Sequence, residues 1–380
     1  MKVCIDARPV QNANRVRGIG VLINNLLSAM GQQQIEGDDF VLVTQRGREF
    51  APYFDREEQL ETFRLERPNR FNWIADQLFL PGLVKKSGAD VFFATDFNSY
   101  LMPSKNVKVV AMAYDLIPFL FPEVMDGQPL PVQIGWRINF QKLKSADAVI
   151  AISEATKDDL VRLFAVAPKR IHVIHPGIDH DLFNMSNSGD ATRADVLLDR
   201  YGITGRFLLY VGDSEWRKNL HRVLQALALL DGDIKLLLVG KRAKGDVVLQ
   251  GWIRELGLEE RVVTPGYVAD EDLPPLYGAA EVFIFPSLYE GFGLPVIEAM
   301  ACGCPVITSN VSSMPEIAGD AALLVDPVNV EQIAETINKI LNEKGLQSAL
   351  SEKGVRRAAF FSWEKSAQET IALIRSIAAQ

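Results

Sequence analysis

No apolar run in this 380-residue chain approaches the ~20 residues that a membrane-spanning helix needs. The opening Lys2-Val3-Cys4-Ile5-Asp6 reads as a strand, without the charged and apolar regions of a secretory signal. A cytoplasmic protein is therefore expected, meeting the inner face of the plasma membrane at most peripherally. Cysteine is scarce. Cys4, Cys302 and Cys304 build no disulfide framework, and each lies in or beside an apolar run, so buried thiols in a reducing compartment are expected. Cys302-Gly303-Cys304 lacks the further Cys or His partners that a zinc site requires. Basic charge is also short: 40 Lys and Arg against 48 Asp and Glu leave a net charge of -8, which argues against a nucleic-acid binder with its strongly basic face. No first strand is followed by Gly-x-Gly-x-x-Gly with an acidic residue ~20 positions on, which argues against a nicotinamide dehydrogenase. Sequence repeats and low-complexity tracts are absent.

What remains is a chain 48% hydrophobic, long enough for two cores. Short apolar runs alternate with amphipathic segments. Strands are expected at 3–5, 40–43, 91–94, 107–113, 148–152 and 171–174. The pattern begins afresh at 207–211 and continues at 235–239, 262–263, 282–285, 306–308 and 322–325. Strands apolar on both faces, alternating with helices, imply parallel sheets covered on both sides. The fold expected is α/β, with two doubly wound Rossmann-like domains, 1–180 and 181–361. A last helix, 362–380, follows from the spacing of Trp363, Ala367, Ile371, Ile374 and Ala378.

The richest segment runs from Pro286 to Met300. An apolar strand enters the turn Glu290-Gly291-Phe292-Gly293, and Pro295 marks the start of a helix that carries Glu298. Backbone N–H groups and a positive helix end should then face the carboxyl edge of the sheet, where open α/β folds bind phosphorylated ligands. A second turn, Gly212 to Leu220, leaves the first strand of the second half. Arg217 offers a fork for two phosphate oxygens and Lys218 a mobile point charge. Asp231-Gly232-Asp233 and Asp179-His180-Asp181 match the metal-binding pattern Asp-x-Asp. The first reads better as a turn and the second as part of the interdomain linker, so no metal is expected. The segment 71–86, with Trp73, Ile74, Leu78, Phe79 and Leu80 ahead of Lys85 and Lys86, reads first as a core-packing helix. A membrane surface bearing a lipid-linked acceptor is its alternative.

Glu290-Gly-Phe-Gly-Leu-Pro-Val-Ile-Glu298 resembles the Glu-x7-Glu signature of retaining glycosyltransferases of family four, which have the GT-B fold. Arg217-Lys218-Asn219 resembles the basic phosphate motif of that family. Asp6-Ala7-Arg8, Arg17-Gly18-Ile19-Gly20, Asp115-Leu116-Ile117-Pro118 and His175-Pro176-Gly177-Ile178-Asp179 are similar to segments of a bacterial subgroup that adds mannose and related sugars to surface polysaccharides such as O-antigen.

The resemblance implies roles, position by position. Arg217 and Lys218 hold the nucleotide diphosphate. Glu298 accepts hydrogen bonds from the ribose, and Glu290 contacts the donor sugar. The amides around Phe292, Gly293 and Leu294 line the sugar and phosphate. Gly18 and Gly20 approach the diphosphate from a loop of the first domain, and the last helix crosses back to that domain. The partners implied are a nucleotide-sugar donor, with GDP-mannose favoured over UDP- or dTDP-sugars, and a glycan or polyprenyl-diphosphate-linked acceptor. No cofactor is implied.

One position departs from the pattern. Many relatives carry His where this chain has Tyr114, a poor proton shuttle near neutrality given a reference pKa of ~10. Tyr114 either positions the sugar or faces the core. Asp115 becomes a candidate catalytic group, with an Asx turn closing the strand as the alternative. The Tyr114 departure also leaves open a catalytically silent nucleotide-sugar-binding subunit. A sugar-nucleotide epimerase is a third reading.

Overall fold

The computed structural model describes all residues except 12–17, 34–36, 46–51, 56, 63–71, 97–106 and 242–244; at 61–62 and 72–78 it describes the backbone alone. The chain divides into two compact units, one made of Met1–Gly177 with Trp363–Gln380, the other of Ile178–Ser362.

The first unit holds a seven-stranded parallel sheet: β1 (Lys2–Asp6), β2 (Asp39–Gln45), β3 (Glu57–Thr62), β4 (Val91–Ala94), β5 (Lys108–Ala113), β6 (Ala148–Ala151) and β7 (Ile171–Val173). Their order is β3-β2-β1-β4-β5-β6-β7. The second unit holds β8 (Phe207–Val211), β9 (Lys235–Val239), β10 (Val262–Gly266), β11 (Val282–Phe285), β12 (Val306–Ser309) and β13 (Leu323–Val325), in the order β10-β9-β8-β11-β12-β13. Interior strands such as β4, β6, β11 and β12 are buried along their whole length, which is why they read as continuous apolar runs.

β3 was not among the expected strands, and the reason is its place. Glu57-Glu58-Gln59-Leu60-Glu61-Thr62 is the sheet's edge and pairs with β2 alone. An edge strand gains from charge that discourages further pairing.

In each sheet the strand order reverses beside the unit's first strand. β1 lies between β2 and β4, and β8 between β9 and β11. Each reversal opens a crevice at the carboxyl ends of the strands, the usual ligand position in such sheets.

The final helix, Trp363–Ala378, packs its buried Ala367, Ile371, Ile374 and Ile377 within the first unit, against the helix Gly18–Gln32. Arg375 reaches Asp38 at 3.0 Å, and the N-terminal amine meets the same carboxylate at 3.1 Å. The helix Asn72–Ser87 buries Leu80 and Val84 in the core and leaves Phe79 exposed. The side chains of Trp73, Ile74 and Leu78 lie outside the described residues. No helix among the described residues is long and apolar enough to cross a membrane. Cys4, Cys302 and Cys304 are free, buried thiols, and burial pushes Cys4 and Cys302 each up to about 12.

Candidate active site

Three turns at the carboxyl edge of the second sheet bring the site together. The first leaves β8. Gly212 starts it, a 3₁₀ turn over Trp216–Lys218 follows, and the helix Leu220–Ala228 continues the chain. Asn219 joins turn to helix in the left-handed conformation, φ +62°. Asparagine tolerates that backbone better than most residues. Its buried amide donates to the carbonyls of Pro286 and Pro327 at 2.9 and 2.6 Å. A side chain thus ties this turn to those after β11 and β13.

The second turn leaves β11 and carries Glu290. Leu288 N–H donates to the Arg217 carbonyl at 2.7 Å, and Arg217 Nη1 lies 2.6 Å from Glu290 Oε2. Glu215 Oε2 lies 3.0 Å from Arg217 Nε. The two residues expected to hold phosphate and sugar separately are therefore ion-paired with each other. Lys218 Nζ stands 3.5 Å from Asp213 Oδ1 and lies along Gly212. Phe292 is buried, edge-to-face with Phe361 at 5.7 Å, so its contribution toward the crevice is main chain. Gly293 takes φ +123°, so the backbone requires glycine, and a Cβ there would push against the end of the Met314 side chain, with Cε at 2.5 Å. Leu294 opens the helix Leu294–Ala301 with Pro295 in its first turn.

Glu298, one turn into that helix, is half-buried and accepts a hydrogen bond from the Tyr277 hydroxyl at 3.3 Å. Burial, with the Asp270 carboxylate adding to it, pushes its carboxyl from 4.5 up to about 7. A folded-state value above the unfolded one means the contribution to stability is fully present below about pH 4.5. It is lost as pH rises through about 7. Glu298→Gln stays neutral throughout. It should therefore unfold at a higher temperature than the parent at pH 8, by an amount corresponding to about 2 kcal/mol after discounting for solvent screening. The gap should close at pH 4.5. Melting curves at the two pH values that run parallel would remove the burial argument.

The third turn leaves β12 and contains Ser312 and Ser313, whose hydroxyls reach the main chain of the Glu290 turn. Neither serine stood out in the sequence. A polar stretch directly after a buried strand, at the same edge as Glu290, was the available signal. Tyr277 had none, since only the fold sets it beside Glu298.

In the first unit, Gly18 is the exposed first residue of its helix and Gly20 is buried in the first turn. The two glycines expected in a loop thus belong to the first turn of the helix Gly18–Gln32. Arg17 lies outside the described residues. Tyr114 is buried and its hydroxyl donates to the Thr95 carbonyl, so it faces the core. Burial raises its pKa well above the usual tyrosine value. Asp115 Oδ1 accepts the Ile117 N–H at 3.1 Å, the geometry of an Asx turn at the end of β5. Asp6 is buried in a bidentate pair with Arg8, at 2.8 and 2.7 Å.

Neither Asp-x-Asp match gathers ligands. Asp179 Oδ1 accepts the backbone N–H groups of Asp181 and Leu182 at 3.0 and 3.1 Å, and Gly232 turns the chain at φ +84°. No group of three or more metal-ligating His, Cys, Asp or Glu occurs among the described residues.

Family models match both halves of the chain: Glycosyltransferase Family 4 over residues 16–182 and Glycosyl transferases group 1 over residues 201–357. The chain is 34% identical over 287 residues to the O-antigen chain mannosyltransferase B of Escherichia coli, covering 72% of this chain and 71% of that protein. It is 29% identical over 290 residues to the serotype-specific mannosyltransferase WbdA of Escherichia coli. That match covers 74% of this chain but 35% of the relative, so the chain spans about a third of that protein's length. Among solved structures, sucrose-phosphate synthase from Thermosynechococcus elongatus aligns over 100% of this chain and 99% of its own, with a TM-score of 0.79 at 23% identity. At that identity the likeness speaks for the fold.

Proposed function

This chain belongs to the GT-B glycosyltransferases that join a family 4 region to a group 1 region, and on that premise we propose that it moves mannose from GDP-mannose to a growing surface glycan, with retention of anomeric configuration and without a metal. The observation that carries the reading is the pairing of Arg217 with Glu290 at the carboxyl edge of the second sheet, with Lys218 next to Arg217 in the same turn, in a chain similar to a mannosyltransferase along most of its length. The acceptor is a saccharide on a lipid diphosphate carrier, reached from the membrane surface.

Transfer requires a diphosphate to leave the anomeric carbon. Positive charge grows on the sugar while negative charge grows on the phosphate. Arg217, Lys218 and the amides opening the helix Leu294–Ala301 stabilise that phosphate, as fixed donors aimed at developing charge do. Glu290 holds the sugar hydroxyls once phosphate competes for Arg217, and ionised Glu298 accepts from the ribose diol. Same-face attack, with the leaving phosphate taking the acceptor's proton, needs no carboxylate nucleophile; a double displacement would need one.

The test is turnover and thermal shift with GDP-mannose, UDP-glucose and a dTDP-sugar, each with and without EDTA. GDP-mannose should raise the melting temperature and be consumed, with activity nearly intact in EDTA. Complete loss in EDTA that magnesium restores would overturn metal independence, and selective stabilisation by a UDP- or dTDP-sugar would overturn the donor.

A further inference from the structure

Ser312 is one of three non-glycine residues with positive φ among the described residues, at φ +57° in the turn between β12 and the helix Met314–Ala318. Glycine takes such a backbone without steric cost, so a serine that keeps it bears strain, and strain of this kind gathers at functional sites. Its hydroxyl makes a two-way contact with one residue. It donates to the Glu290 carbonyl and accepts the Glu290 N–H at 3.2 Å. The neighbouring Ser313 hydroxyl lies 2.6 Å from the Phe292 carbonyl and 2.9 Å from that of Glu290. Its single proton can serve only one of them at a time. On the far side, Glu290 Oε2 meets Arg217 at 2.6 Å. The main chain of Glu290 is therefore held from the β12 side and its carboxylate from the β8 side.

We propose that Ser312 is a positioning residue of this site: its hydroxyl clamps the peptide of Glu290 and so sets where the Glu290 carboxylate stands. The inference rests on the donor-site reading of Glu290. The helix behind it is anchored in turn, since Arg357 donates to the Ile317 carbonyl at 2.8 Å and also to that of Glu316. A strained left-handed serine on this support gives the Glu290 turn one conformation. Displacing a contact group by ~1 Å costs up to about 100-fold in rate, whereas the diphosphate contacts of Lys218 do not pass through Ser312.

Ser312→Gly separates positioning from stability. It removes the hydroxyl and also relieves the backbone, two effects of opposite sign. The probes are GDP-mannose for turnover, GDP for affinity and thermal unfolding for stability, with Glu290→Gln in parallel. Ser312→Gly should lower kcat by about 10–100-fold. Its GDP Kd should stay within about twofold, and its Tm within about 3 °C of the parent, since the two effects offset. Turnover within about twofold of the parent, beside an inactive Glu290→Gln, would overturn the inference and leave the donor site standing. A Tm lowered by more than about 8 °C with a matching loss of GDP affinity would make Ser312 merely structural. Parent-like turnover by Glu290→Gln would take down the donor-site reading and this inference with it.

Discussion

Lys218→Ala should lower kcat by on the order of 10²–10³ while leaving the melting temperature close to that of the parent. The two cations of the β8 turn are not equivalent. Arg217 already has carboxylates at 2.6 and 3.0 Å, from Glu290 and Glu215. Phosphate must compete with both. Lys218 has the looser pairing, 3.5 Å to Asp213, and its side chain is only 16% exposed. A mostly buried charge is poorly screened, so its attraction to a departing diphosphate is larger than a surface lysine would provide. The loss should fall on kcat, because charge on the leaving group grows toward the transition state. Lys218→Gln, which keeps most of the stem against Gly212, should lose as much. Steady-state assays with GDP-mannose decide the matter, and a loss under about threefold would contradict the assignment.

The second large effect is expected at a residue that touches no substrate in the proposed mechanism. Gly240→Ala should destabilise the second unit by about 3 kcal/mol or more, a collision between main chains rather than an overpacked side chain. A Cβ at position 240 would lie 1.7 Å from the Gly212 carbonyl oxygen and 2.7 Å from its carbon. No flexible group is there to yield. The two glycines sit where β8 and β9 end, and backbone bonds tie the end of β8 to β9 and the end of β9 to β10. Gly212 N–H donates to Val239 O at 2.8 Å, and Gly240 N–H to Gly266 O at 2.9 Å. Relief requires the strand ends to part, and the turn that follows β8 carries Lys218. Calorimetry should show the transition lowered by about 6–12 °C. GDP affinity in the remaining folded protein should fall with it. An alanine variant melting within about 2 °C of the parent would show that the strand ends adjust freely.

These two predictions differ in how far the sequence alone supports them. The placement of Lys218 was legible because its surroundings are contiguous: an apolar strand, a turn with Arg-Lys-Asn and an amphipathic helix follow one another within about twenty residues. The placement of Glu290 and Glu298 between strand and helix was legible for the same reason. Gly240 and Ser312 were not. Gly240 matters through a residue 28 positions earlier in the chain, and Ser312 through one 22 positions earlier, so neither forms a local pattern. Tyr114 shows a different limit. β5 is buried on both faces apart from its first residue, so alternation of polarity could not say which way the residues after it turn.

Periodicity and composition determined the α/β class, the interior strands and the turns that carry the cations and carboxylates, because burying both faces of a parallel sheet leaves continuous apolar runs with polar turns between them. Only the tertiary structure decided the edge strand β3, the pairing of Arg217 with Glu290, the raised carboxyl of Glu298, the core-facing hydroxyl of Tyr114 and the serine clamp on the Glu290 turn. Each depends on the distance between groups far apart in the chain, or on how much water burial removes, and neither quantity is written in the order of the residues.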